Sequence, residues 1–210
     1  MKKAKKIVAL LLCAVLLISA SVAGTLAYLT QKTATVQNTF TVGKVSLGED
    51  EDGDGIVEGG LDETKVDQYG VAVTPASRVT KNTYKLIPGK TYAKDPVLTV
   101  KGTTDVDCWL FFKVVENNPG NFLTYELNLD GWTELETGVY YRAITASTAD
   151  QSFQLLKGKT GFTNGYVTIS EDLTLEQMAT ADDASLIFTG YAIQKEGFDN
   201  PAAAWDELNP

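Results

Sequence analysis

The residues best suited to chemistry lie in an acidic insertion, residues 48–60, which is bounded by glycines. Three aspartates alternate along it and a glycine follows the third, matching positions 1, 3, 5 and 6 of a calcium-binding loop. A glutamate falls at position 9, but the bidentate glutamate of position 12 is replaced by Leu61, and a strand pattern stands where an EF-hand has a helix. The insertion therefore predicts either a solvated acidic turn or a weak calcium site. The ligands of that site are Asp50, Asp52, Asp54 and Glu58.

The sequence contains no histidine, and this restricts the enzymatic chemistry open to it. Without histidine the chain lacks the commonest general base, and it can form neither a Ser-His-Asp arrangement nor most zinc sites. Two carboxylates can still hydrolyse a glycoside, but no pattern singles out one pair among the 27 acidic residues. We therefore predict a protein that is not an enzyme.

The two cysteines of the sequence lie in different surroundings. Cys13 stands in an apolar run near the N-terminus that we expect to be removed, which leaves Cys108 without an intramolecular partner. Cys108 lies in a strand pattern of aliphatic and aromatic residues, so we predict a buried free thiol. The alternative is a disulfide between two chains.

Aromatic residues offer another kind of site. Aromatic side chains at strand spacing form cross-strand pairs and core contacts, or else a platform on which sugar rings stack. Both interpretations apply to Trp109, Trp132, Tyr140 and Tyr141.

The elements that must position these residues are strands. Short β-rich runs alternate with glycine, asparagine, aspartate and proline, as in all-β sandwiches. In the run from Val106 to Val114 both faces are apolar up to Lys113, so we expect this strand to lie centrally between two covering layers. The predicted strands are Thr39–Leu47, Val71–Val73, Asn82–Leu86, Val97–Val100, Asp105–Val115, Leu123–Leu129, Val139–Thr145, Gln151–Leu156, Tyr166–Ile169 and Ser185–Gln194.

Two short helices are predicted near the C-terminus. Thr174 and Gln177 have the spacing of a capping box, which favours one or two helical turns. Asn200 is an N-cap residue followed by Pro201 at the first helical position, and we expect the closing helix to pack Trp205 onto the sandwich.

Residues 1–27 have the order of a bacterial secretory signal peptide: a basic head, an apolar run and small residues before a cleavage site. We predict cleavage after Ala27, with Ala23 as the alternative. The segment holds four of the 18 basic residues and none of the 27 acidic ones, so 14 basic residues remain against 27 acidic, a net charge of −13. A secreted chain of this charge repels phosphate backbones, so we expect no nucleic-acid partner.

A threonine-rich, β-prone arm, residues 28–38, follows the predicted cleavage point. Before cleavage it is joined to the apolar-rich stretch Ile7–Leu29, whose 23 residues are long enough to span a bilayer. After cleavage it is a polar, flexible segment that cannot bury itself alone. Residues 39–210 then form the β-sandwich domain, with the acidic insertion within it.

Several blocks of the sequence resemble the TasA/camelysin family of Gram-positive secreted proteins. The N-terminal blocks carry the strongest likeness, and further blocks spread it along nearly the whole chain. The residues concerned are Gly24–Thr30, Asn38–Gly43, Leu86–Lys90, Lys94–Pro96 and Thr189–Gln194.

The resemblance implies a jelly-roll-like antiparallel β-sandwich that assembles into fibres of a biofilm matrix. It implies processing by a SipW-type signal peptidase and head-to-tail polymerisation by donor-strand complementation, in which the arm of one subunit completes a sheet of the next. Whether an accessory matrix subunit starts or caps the fibre stays an open question. The metallopeptidase label of part of the family is not carried over, because the ligand histidines are missing. The arm residues implicated in assembly are Tyr28, Leu29, Thr30, Val36, Asn38 and Phe40.

A function from another class competes with this expectation. The domain is then a monomeric secreted adhesin or glycan-binding module that uses exposed aromatic residues. Concentration-dependent filaments distinguish the fibre subunit from the adhesin.

Overall fold

A computed structural model of the protein describes residues 43–48, 60–181 and 184–208. In these ranges the chain forms eleven strands and two short helices, α1 (Leu175–Thr180) and α2 (Pro201–Leu208). All strand pairs are antiparallel, which confirms the predicted all-β antiparallel sandwich with short helices. The strands are β1 Leu61–Thr64, β2 Arg78–Val79, β3 Thr91–Ala93, β4 Val97–Val100, β5 Cys108–Asn117, β6 Leu123–Thr124, β7 Thr133–Glu136, β8 Val139–Ile144, β9 Gln151–Gln154, β10 Tyr166–Ile169 and β11 Ser185–Gln194.

Two four-stranded sheets form the sandwich. Their strand orders are β2-β1-β4-β9 and β11-β5-β8-β7, and their inner faces share one apolar core. Leu98 and Val100 enter this sandwich core from β4, and Leu110 and Phe112 enter it from β5. Packing of two apolar sheet faces against each other is what makes the short strands stable together.

The prediction that the strand around Phe111 lies centrally is confirmed. β5 pairs with β11 over ten residue pairs and with β8 over six. Cys108, Leu110 and Phe112 point into the sandwich core, whereas Phe111 points to the opposite face and packs beneath α2. A strand that is covered on both faces is apolar on both faces, which explains its sequence.

The closing helix α2 covers the outer face of the second sheet, as predicted. Trp205 is 3 % exposed, and its ring lies 5.2 Å from that of Phe111 and 5.1 Å from that of Tyr191. Its indole nitrogen donates a hydrogen bond of 3.0 Å to Glu136 of β7. The helix therefore links β11, β5 and β7 across the outer face of one sheet.

A third, three-stranded sheet in the order β3-β10-β6 packs against α1. The capping box of α1 is present as predicted: the Thr174 hydroxyl accepts from the Gln177 backbone N–H, and the Gln177 side chain accepts from the Thr174 N–H. The core of this sheet consists of Tyr92, Phe122, Val167, Ile169, Leu173 and Ala181.

Two predicted strands are wrong because local side-chain hydrogen bonds fold the chain differently. Val71–Val73 lies in a tight loop in which the Asp67 carboxylate accepts the backbone N–H groups of Tyr69 and Val71. Asn82–Leu86 forms no strand, since the Asn82 side chain accepts from Val66 N–H and donates to the Thr64 carbonyl. Asparagine and aspartate side chains commonly compete with sheet hydrogen bonds in this way.

Other differences concern strand limits. Residues 43–47 of the predicted strand Thr39–Leu47 form no strand, and the segment is tied instead to residues 101–105 by bonds such as Ser46 N–H to Thr104 Oγ1 at 2.9 Å. The predicted strand Leu123–Leu129 shrinks to β6 and one isolated bridge. Four short strands, β1, β2, β3 and β7, were not predicted.

Candidate assembly surface

The feature of this fold that most requires a partner is the outer edge of β11. β11 has ten residues and stands at the end of its sheet, paired on one side with β5. At roughly 3.3 Å per residue, its edge is about 33 Å long. Such an edge presents a row of backbone N–H and C=O groups that can template another strand.

The other sheet edges in the described part of the chain carry the usual protections against strand addition. β2, β3, β6 and β9 have two to four residues each. β7 carries Glu134 and Glu136, with a register irregularity between them. β11 contains no charged residue and no proline, so it combines the greatest length with none of these protections.

An exposed apolar pair lies beside this edge. Val115 of β5 and Ile187 of β11 are directly opposite each other in the sheet and are 48 % and 51 % exposed. They lie on the same outer face as Phe111 and Tyr191, but at the end of the sheet away from the α2 contacts of those residues. The outer face is thus apolar and covered at one end of β11, and apolar and open at the other.

The opposite face of β11 fixes the strand onto the sandwich. Phe188 and Ala192 pack against the sandwich core, and Gly190 lies against the Leu98 side chain of β4. The strand is therefore held in place by its inner side chains, and among the described residues its outer backbone edge pairs with no other strand. We call β11 together with Val115 the assembly edge.

The site residues predicted from the sequence lie outside the described residues. This applies to the signal peptide 1–27, to both cleavage positions, Ala27 and Ala23, and to the arm. It applies equally to the acidic insertion, apart from its flanking residues Gly48 and Gly60. The arm residues are Tyr28, Leu29, Thr30, Val36, Asn38 and Phe40, and the calcium candidates are Asp50, Asp52, Asp54 and Glu58.

Cys108 is a buried free thiol, as predicted. Its side chain has no exposed surface, and burial together with the nearby Asp107 raises the pKa of the thiol to about 11. A protonated thiol in the core is neither a nucleophile nor accessible to another chain. The alternative of an interchain disulfide is therefore wrong for the folded domain.

The predicted aromatic residues do not form a sugar-stacking platform. Trp132 and Tyr140 are 9 % and 8 % exposed and both pack on Phe112 in the sandwich core, with ring distances of 4.7 Å and 4.9 Å. Trp109 and Tyr141 are partly buried on the other face, where their rings meet edge to face at 5.8 Å. The aromatic residues are core and cross-strand pairs, the first of the two interpretations.

A shallow cleft of about 540 Å³ lies on one side of β6. Tyr125 in its wall donates a hydrogen bond of 2.6 Å to Glu116, and burial followed by this bond raises the pKa of the tyrosine. Lys157 forms an ion pair with Glu126. The Tyr125 hydroxyl therefore stays protonated at neutral pH.

Within residues 43–48, 60–181 and 184–208, no group of three or more cysteine, aspartate or glutamate side chains is placed to hold a metal ion. In the same part of the chain, no helix has the length and apolar character needed to cross a bilayer. Comparisons of the chain with protein-family models, with curated proteins and with solved structures found no match.

Proposed function

We propose that this protein is a secreted structural protein, the subunit of a biofilm-matrix or cell-surface fibre, and that subunits join by strand addition. The arm 28–38 of one subunit pairs with the assembly edge of the next. The observation that carries this proposal is β11: ten uncharged residues at the end of a sheet, next to the open apolar pair Val115 and Ile187. Edges of this kind are rare in proteins that stay monomeric.

The arm has the chemistry that this edge requires. It holds eleven residues, against ten in β11, and it is rich in threonine with valine and leucine among them. Main-chain hydrogen bonds then supply affinity, and alternate side chains such as Val36 reach apolar surface on the neighbour. The donor segment and the acceptor edge belong to different parts of the chain, so the contact is head-to-tail and propagates as a filament.

Signal-peptide cleavage serves as the switch for assembly in this proposal. While the arm is joined to the apolar segment Ile7–Leu29, it is held at the membrane and cannot reach a neighbouring subunit. Cleavage after Ala27 by a SipW-type signal peptidase releases it. The resulting fibre lies outside the cell, in the matrix or at the surface.

Deletion of the arm tests the donor. The chain that lacks Tyr28–Gln37 is expected to stay folded by circular dichroism and to form no fibres in electron micrographs. Undiminished fibres from the deleted chain would refute strand addition by this segment.

A matched pair of substitutions tests the acceptor. Thr189 and Thr133 are both exposed threonines on edge strands, at opposite edges of the same sheet. A charged side chain on an edge strand opposes addition of another strand, because pairing would bury its charge. Glutamate is chosen because Thr189 lies directly opposite Lys113 of β5, where a second lysine would add like-charge repulsion within the subunit. Thr189→Glu is expected to abolish or greatly slow fibre growth, whereas Thr133→Glu leaves growth at the wild-type rate. Equal effects of the two variants would show that β11 is not the acceptor.

A further inference from the structure

A basic surface stands out against the acidic character of the chain. Residues 65–94 hold six basic residues and one acidic residue, in a sequence with net charge −9. Two of the six basic residues are neutralised: Arg78 bonds to Asp62 and Asp95, and Lys94 pairs with Glu63 at 2.9 Å. In the part of the chain that the structure describes, the other four lysines form no ion pair.

Two of these unpaired lysines share one exposed aromatic ring. The ammonium groups of Lys85 and Lys90 lie 5.7 Å and 5.5 Å from the centre of the Tyr69 ring, which is 43 % exposed. Lys90 also lies 5.1 Å from the ring of Tyr92. Cation–π contacts of this length hold the lysines beside the rings and keep their charges directed at one surface. We call Tyr69, Lys85 and Lys90 the basic aromatic patch.

The loop that carries Tyr69 is fixed before any partner arrives. Asp67 accepts the N–H groups of Tyr69 and Val71 at 2.8 Å and 2.9 Å, and its backbone N–H bonds back to the Val71 carbonyl. The Lys85 N–H bonds to the Gln68 carbonyl at 2.7 Å and ties the second segment of the patch to the loop. A preorganised surface loses little conformational entropy on binding. Two carboxylates belong to segments next to this patch: Asp67, whose oxygen is used by the loop's own N–H groups, and Glu171, which lies near Gly89.

The chain contains a segment of the opposite charge. Residues 49–58 hold six acidic residues and no basic one. Its two flanks meet at one point, since Gly60 lies against the carbonyl of Leu47. From Gly60 the chain runs through β1 to Val66, where the Tyr69 loop begins, a path of roughly 20 Å at strand spacing. The flanks of the acidic segment and the Tyr69 loop therefore lie at opposite ends of β1.

We infer that the basic aromatic patch of one subunit docks the acidic segment 49–58 of a second copy. Because the flanks of the segment meet at one point, a chain of its length reaches about 20 Å from them only when fully extended, and contact with its own patch would require that full extension. Contact with another copy does not require the segment to be fully extended. Because donor and acceptor lie at opposite ends of β1, the contact is head-to-tail. It uses neither the arm nor β11, so it does not depend on strand addition.

The decisive experiment mixes two variants of the secreted chain, each lacking one half of the contact. Both variants, the wild-type reference and the control below carry the Thr189 substitution that blocks strand addition, so that polymerisation through β11 does not mask the result. The basic-patch variant carries Lys85→Glu and Lys90→Glu. The acidic-segment variant carries Asp50→Asn, Glu51→Gln, Asp52→Asn and Asp54→Asn. In sedimentation velocity at low salt, each variant alone is expected to associate at least about tenfold more weakly than the wild type, while an equal mixture forms a dimer that does not elongate. A mixture that shows no dimer overturns the inference.

Salt dependence and a matched control separate this contact from strand addition. Raising the salt from about 0.01 M to about 1 M shortens the screening length from about 30 Å to about 3 Å, so the mixed dimer is expected to dissociate. Strand addition through main-chain bonds and apolar contacts lacks that dependence, so failure of one proposal does not imply failure of the other. The control carries Lys157→Glu and Lys195→Glu, the same change in net charge on exposed lysines elsewhere, and should associate like the wild type.

Two outcomes would give the basic aromatic patch a role other than contact between copies. Equal weakening in the control and in the basic-patch variant shows that net charge alone governs association. Binding of inorganic polyphosphate by the wild type but not by the basic-patch variant, with no dimer in the mixture, assigns the patch to an anionic polymer. Either result overturns the self-contact.

Discussion

Gly190 of β11 lies so close to Leu98 of β4 that a Cβ built on the glycine would stand 2.4 Å from the leucine Cδ1. Leu98 is fully buried in the sandwich core. A side chain at position 190 would therefore force the buried Leu98 side chain, or the sheets that hold it, to shift beneath the strand that we propose as acceptor. The glycine permits the close approach of the sheets beneath the assembly edge.

This contact predicts a specific non-additivity. Gly190→Ala should lower the free energy of unfolding by about 1–3 kcal/mol through overpacking, and Leu98→Ala by about 2–5 kcal/mol through the cavity that it leaves. In the double variant the alanine at 190 partly fills that cavity, so the loss should be smaller than the sum of the two. Urea denaturation of the four proteins measures the coupling, and strictly additive losses would contradict the contact.

The capping box of α1 predicts a second stability change. Thr174→Ala removes the hydroxyl that accepts the Gln177 N–H at 3.2 Å, and the unfolding free energy should fall by about 1 kcal/mol. Thr174→Ser is the matched control, because it keeps the hydroxyl and should remain within about 0.5 kcal/mol of the wild type. A loss as large for serine as for alanine would show that the methyl group, rather than the cap, is what matters.

The buried thiol predicts how stability changes with pH. Burial raises the pKa of Cys108 from its ordinary value of 9.0 to about 11, so above pH 9 the unfolded chain releases the thiol proton more readily than the folded one. The corresponding stability is complete below pH 9 and is lost as the pH rises through 11. By linkage, the loss is on the order of 1–3 kcal/mol.

Comparison with Cys108→Ala isolates this effect from the titration of tyrosines in the same range. Burial also raises the pKa of Tyr92 and of Tyr140, but these groups are common to both proteins. Between pH 8 and about pH 11 the unfolding free energy should therefore fall by more in the wild type than in the alanine variant. Parallel pH profiles would contradict the burial of the thiol.

The fold could be predicted from the sequence where strands alternate cleanly and are bounded by turn residues. Val97–Val100, Tyr166–Ile169 and Ser185–Gln194 were predicted with the limits that the structure gives. β7 was missed because Glu134 and Glu136 give it the composition of a loop, although such charges are what protect an edge strand. Val71–Val73 was overpredicted because the Asp67 side chain converts a β-prone run into a turn.

The assembly edge shows what sequence patterns leave undetermined. The sequence predicts that Ser185–Gln194 is a strand, but its place at the end of a sheet depends on pairing with β5, 68 or more residues earlier in the chain. The apolar pair arises in the same way, since Val115 and Ile187 meet only when that register is set. The basic aromatic patch likewise requires Lys85 to bond back to the loop of Tyr69. Pairing between distant segments is a tertiary property that local periodicity does not encode.

The apolar pair beside β11 gives the last prediction, which separates assembly from folding. Val115 and Ile187 are about half exposed, so replacing both by threonine keeps their β-branched shape and should change the unfolding free energy by no more than about 0.5 kcal/mol each. If a strand from another subunit covers this end of the sheet, the double variant loses apolar burial in the fibre, and fibre growth followed by light scattering should slow several-fold. Val71→Thr with Leu129→Thr is the matched control, because both residues are exposed aliphatics outside the assembly edge, at 62 % and 40 %. Equal slowing by both pairs would mean that general surface hydrophobicity, rather than β11 and its neighbour, drives association.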